Sequence, residues 1–112
     1  MIKRLVIQSL PGGTDEDEFW KYHTQVHSVD FLEAVGDLVK KYVIKRVIRV
    51  IKGKKQFFVL IETWWDNEED MSKAFKILNN TILSNGKTVT DDFMSRVING
   101  STFEVEEFIG KA

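Results

Sequence analysis

Two runs in the middle of the chain, YVIKRVIRVIK at 42–52 and QFFVLIETWW at 56–65, restrict the fold more than any other feature. Both are rich in β-branched and aromatic residues and read as strands two and three. Successive side chains of a strand point to opposite faces. In the first run Val43, Val47 and Ile51 share one face, and Tyr42, Ile44, Ile48 and Val50 share the other. In the second, Phe57, Val59 and Ile61 oppose Phe58, Leu60 and Trp64. A sheet with one wet face alternates between apolar and polar residues. These strands do not, so both faces need cover. Gly53 and the short connection predict a hairpin between them.

The flanking segments supply cover for one face. Residues 2–9 read as a first strand, ended by the turn Pro11-Gly12-Gly13. Thr14 reads as a helix cap, followed by Asp15, Glu16, Asp17 and Glu18, whose negative charge suits a helix N-terminus. The helix is expected from about 15 to the low thirties, with a second piece extending through Leu38. Asp66 or Asn67 caps the next helix, which carries Met71, Ala74, Phe75 and Leu78 at helical spacing and ends at Asn79-Asn80. After a loop with Ser84, Asn85 and Gly86 come a short helix, Asp91 to Val97, a stop at Asn99-Gly100, and a last strand at 102–109. The order is β-α-β-β-α-β, the split βαβ pattern of a ferredoxin-like α+β fold. One domain spans 1–112, with a four-stranded antiparallel sheet. Right-handed crossovers put both long helices on one face.

The second face then has no helix. A large apolar patch marks an interaction surface, and the simplest solution is a homodimer with the sheets packed face to face. Lys45, Arg46, Arg49, Glu62, Glu104 and Glu106 are placed to form ion pairs at its rim. The other route is a loop at 79–90 folding over part of this face.

Charge and composition exclude several classes. Sixteen basic and 17 acidic residues leave a net charge of -1, without the basic excess of a nucleic-acid binder. The absence of cysteine removes disulfides, thiolate metal sites and a cysteine nucleophile. No run approaches the roughly 20 apolar residues of a membrane span. The short apolar run before Pro11 does not make a secretory signal, so a cytoplasmic protein is expected. Phosphate-binding glycine motifs and the GxSxG elbow are absent. No cofactor is expected.

Polar residues on the first helix carry the chemistry. At about 100° per residue, Phe19, Trp20, Tyr22, Val26, Val29, Phe31 and Ala34 form one broad apolar arc. His23, His27 and Asp30 lie inside it, at spacings that make them neighbours on a helix. A carboxylate beside a histidine fixes its tautomer and raises its pKa. A histidine so placed in an apolar pocket can act as acid or base. Against this stand two plainer roles: a histidine satisfied at the core boundary, and an Asp30 past a helix break facing solvent. Two histidines four apart also invite a metal, but a third ligand is not apparent, and no metal site is expected.

These residues also carry a resemblance. The segment Phe19-Trp20-Lys21-Tyr22-His23-Thr24-Gln25-Val26-His27 resembles the first-helix signature of EthD-like proteins of the dimeric α/β barrel superfamily, in which a Phe is followed eight residues on by His with aromatics between. Tyr42, Glu62-Thr63-Trp64-Trp65-Asp66, Asp91-Asp92-Phe93 and Val105-Glu106-Glu107 are similar to later stretches of that family. There are departures. The family commonly has a small residue and then proline after this His, where the chain has Ser28-Val29, and an aromatic where the chain has His23. The resemblance implies a dimer with a pocket between helices and sheet in each subunit. Relatives include polyketide cyclases, dehydratases and cofactor-independent monooxygenases, and some without an assigned activity. His27 carries over best as the acid or base, with His23 and Asp30 beside it. Phe19, Tyr22, Tyr42, Trp64 and Phe93 are the expected substrate contacts. The partner implied is a hydrophobic aromatic or polyketide-like molecule, either turned over or simply bound and carried.

Overall fold

The computed structural model describes all 112 residues. Its strands are β1 (Ile2–Ser9), β2 (Val39–Arg46), β3 (Val59–Trp65) and β4 (Ile98–Val105); its helices are α1 (Glu16–Tyr22), α2 (Ser28–Val35), α3 (Glu68–Leu78) and α4 (Val89–Met94). They form one antiparallel sheet in the order β2-β3-β1-β4. This is the ferredoxin-like arrangement expected, with α4 as the extra short helix.

Strand parity assigns the faces. Arg4 pairs with Thr63 and Glu104, and Val6 with Ile61 and Thr102. Tyr42 pairs with Thr63. These residues share the helix-covered face. Lys3, Leu5, Ile7, Val43, Lys45, Leu60, Glu62, Trp64, Phe103 and Val105 share the open one. Two apolar clusters form under the helices. Phe31, Val35, Val39, Trp65, Met71, Ala74, Leu78 and Val89 make the larger, and Phe19, Phe58, Val59, Phe93 and Val97 the smaller.

Several boundaries differ from expectation. Asp15, not Thr14, caps α1 by accepting from the Glu18 amide; the Thr14 hydroxyl instead donates to the Pro11 carbonyl. The hairpin is longer. β2 runs from Val39 and stops at Arg46, and residues 47–57 leave the sheet, with Ile48 88% exposed. β1 ends at Ser9, so beyond Val59 a third strand is missing, and an isolated two-stranded ribbon is marginal in water. Arg49, Lys52 and Lys54 add mutual repulsion there. α4 begins at Val89, capped by Thr88. Asn99-Gly100 does not stop a helix but lies within β4. Asn99 has φ 53° where the β1–β4 register shifts, so its turn chemistry serves a bulge.

The loop at 79–90 does not cover the open face. Leu83 packs on the larger cluster and Val89 belongs to it, so this loop closes the helix side instead.

Candidate active site

α1 and α2 are one continuous helix joined by a π-helical segment, His23–His27. The Ser28 amide bonds the His23 carbonyl five residues back, and the Ser28 hydroxyl reinforces it at 2.7 Å. One extra residue in a turn delays every later side chain by roughly 100°. That rotation decides what faces inward. Phe31 takes the direction a uniform helix would give Asp30 and is buried. Asp30 stays half-buried and makes no hydrogen bond with His27. Val26 and Val29, expected on the apolar arc, are each 48% exposed.

Between helices and sheet lies a cavity of about 590 Å³. His27 stands on its wall, 9% exposed, with its ring 4.4 Å from that of Phe93. Phe31 stacks on Tyr42 at 4.5 Å on another side. The floor is made by Arg4, Val6, Gln8, Ile61, Thr63 and Trp65 of the sheet. Surveyed ligand pockets run from about 300 to 1,000 Å³ and combine apolar walls with a few polar groups. This cavity fits that description.

The two histidines differ in role. His23 is fully buried, its ring 5.5 Å from His27 and 4.9 Å from Phe93, and neither nitrogen has a partner. It lies behind the cavity wall rather than on it. Burial, and secondarily the neighbouring His27, lowers its pKa to about 3. His27 is lowered to about 4 by burial, which outweighs the upward pull of Asp92; Arg96 adds to the lowering. Both imidazoles are therefore neutral at pH 7. The sequence expectation of a carboxylate raising the His27 pKa is reversed in net sign, and the nearby acid is Asp92, not Asp30. No third His, Asp or Glu gathers with them into a metal-ligand set.

Asp92 anchors the wall from behind. It is buried, accepts from the Tyr22 hydroxyl at 2.7 Å and from the Asn85 amide at 2.9 Å, and pairs with Arg96 at 3.4 Å. Burial pushes its pKa up, but these three partners hold it below the usual carboxylate range. Burial and the Asp92 bond together push the Tyr22 hydroxyl far above its ordinary value. Tyr22 is thus a strut between α1 and α4.

Of the expected site residues, the structure brings His27, Tyr42 and Phe93 together around the cavity. Phe19 and Tyr22 do not reach it and line a separate polar depression with Arg96. Trp64 points to the open face, where Lys3 and Lys41 lie over its ring; Trp65 lines the cavity in its place. Sequence reasoning missed Arg4, Gln8, Thr63 and Asp92. Arg4 and Gln8 had a signal: they are the polar residues on the face of β1 that also carries Val6.

This combination of fold and site defines a ferredoxin-like domain with an internal apolar pocket. No protein-family profile matches the chain, and no curated protein does. Solved structures do. An EthD-like protein from Ralstonia eutropha superposes with TM-score 0.72 at 15% identity, over 99% of this chain and 95% of that one. A dimeric ferredoxin-like protein from an uncultured marine organism gives 0.61 at 16%, over 98% and 91%. SnoaB, a cofactor-independent oxygenase from Streptomyces nogalater, gives 0.60 at 9%, over 98% and 97%. The resemblance to EthD-like proteins read in the sequence thus holds in the fold.

Proposed function

We propose that the protein is a cofactor-free enzyme acting on a hydrophobic aromatic or polyketide-like carbonyl compound, with His27 as its base. The observation that carries this is His27 itself: a neutral imidazole without a protein hydrogen-bond partner, on the wall of an apolar cavity. A neutral ring is ready to accept a proton. His27 takes one from the carbon next to the substrate carbonyl, leaving an enolate. Negative charge developing beside the ring strengthens it as a base. The enolate carbon then attacks a second carbonyl, and the imidazolium returns the proton to the new alkoxide, so the cyclisation is balanced. The fold is shared with SnoaB, a cofactor-independent oxygenase, which supports reading this fold as one able to host an enzyme without a cofactor. The enzyme acts as a homodimer joined through the open sheet face, an assembly supported by that apolar face and by the dimeric neighbour, and it works in the cytoplasm.

The test reads the first step alone. In D₂O, 2-tetralone exchanges the hydrogens next to its carbonyl, and mass spectrometry follows the uptake. The protein should speed the exchange, and His27→Ala should lose on the order of 10²-fold or more of that acceleration. Equal rates for the two proteins would remove His27 from the reaction.

A second reading is a non-catalytic carrier of the same ligand class. It is favoured by the lack of any group that fixes the His27 tautomer. It predicts binding without accelerated exchange.

A further inference from the structure

The cavity wall contains no Asp or Glu, and its one charged side chain is Arg4. Arg4 enters none of the ion pairs of the fold. Its Nε is buried without a hydrogen-bond partner. Glu104 lies opposite it across β1 and β4 but does not pair with it. Beside it on the same face, Gln8 has a buried amide oxygen that is also unpartnered. On the open face, by contrast, the buried Glu62 is paired with both Lys3 and Lys45. Arg4 is half-buried, and a guanidinium drawn partly out of water without a carboxylate is costly unless something else completes it. With His27 neutral, the cavity carries a single positive charge.

We propose that Arg4 is the anion-recognition residue of this cavity, and that the ligand is a hydrophobic molecule bearing one carboxylate. The planar guanidinium offers two parallel N–H donors that match a carboxylate. The aromatic walls, Phe31, Tyr42, Trp65 and Phe93, take the rest of the molecule, and Gln8 supplies a further polar contact on the floor. This rests on the functional reading of the cavity and narrows its substrate class from hydrophobic carbonyl compounds to those that are also acids.

Calorimetric titration at pH 7.5 with 2-naphthoate, indole-3-acetate and salicylate, each beside its methyl ester, tests the assignment. The acids should bind at least tenfold tighter than their esters, and Arg4→Met should lower the acids to the level of the esters while ester binding persists. Acid and ester binding equally, or an acid preference that survives Arg4→Met, overturns the role of Arg4 and leaves the pocket reading intact. Failure of every acid and every ester to bind overturns both. Thermal unfolding of the ligand-free variant gives an answer that needs no ligand. An Arg4 kept for a ligand predicts that Arg4→Met melts at or above wild type. A fall of several degrees would make Arg4 a structural residue and overturn the proposal.

Discussion

His23 is the residue whose chemistry is least satisfied. Its ring sits among Phe19, Trp20, His27 and Phe93 with both nitrogens unpartnered. Burying a polar group without a hydrogen bond costs about 1–3 kcal/mol. His23→Leu, close in volume and free of that penalty, should raise the melting temperature at pH 7 and leave His27 in place. Acidity sharpens the test. Both imidazoles have depressed pKa values in the fold, about 3 and 4, against 6.5 in the unfolded chain. Between those limits the unfolded state binds more protons, so stability is full above about 6.5 and falls as pH drops toward 3. His27 alone accounts for about 3 kcal/mol of that loss. Urea titrations at pH 7, 6, 5 and 4 should show this slope, and His23→Leu should remove about half of it. A stability flat from pH 7 to 5 would mean that the rings are solvated.

At the scale of elements, what was legible followed periodicity, and what was not followed single-residue insertions. The helix pattern showed that His23 and His27 face inward together, because a π segment leaves neighbours within itself close. It misplaced Asp30, because one extra residue in the turn rotates all that follows and brings Phe31 in. Trp64 and Trp65 are both bulky, and only the register against β1 tells which enters the cavity. The length of the hairpin depended on where β1 ends, a long-range fact that the local sequence does not contain. A bulge has the same character. Gly100 lies in β4 beside the Asn99 bulge, and a Cβ there would come 2.2 Å from Gln8 Oε1. The group it meets is the tip of a flexible side chain, so it moves aside at small cost. Gly100→Ala should therefore change stability by less than about 1 kcal/mol while driving the Gln8 amide out of place, and ligand affinity should fall several-fold. Loss of the folded state in this variant would show instead that the bulge backbone has no freedom.

The open sheet face poses its question for the whole molecule. It carries Leu5, Ile7, Val43, Leu60, Trp64, Phe103 and Val105, with Phe103 46% exposed. Its one buried carboxylate is already paired within the subunit: burial pushes the Glu62 carboxyl up, but Lys45 and Lys3 hold it below the usual range, while Lys41 at the β2 edge lies over Trp64. A face whose buried carboxylate is neutralised within the subunit can be covered there without stranding that charge, which suits a two-fold interface. The cavity is on the opposite side of the same sheet, so pairing buries this face and leaves the His27 side free. The sequence pattern pointed to this arrangement, since both faces of the central strands are apolar, while only the register could assign which residues belong to which face. Phe103→Glu puts a carboxylate on the β4 side of the proposed contact without touching the cavity wall. Sedimentation velocity should give a species of twice the 13.0 kDa chain mass for wild type and a single chain mass for the variant. Circular dichroism of that monomer should stay close to wild type, because the two clusters under the helices do not depend on the partner. A wild type that remains monomeric at high concentration would leave the sheet face free for a different protein and remove the dimer from the functional reading, while the cavity chemistry of His27 and Arg4 would still stand or fall on its own tests.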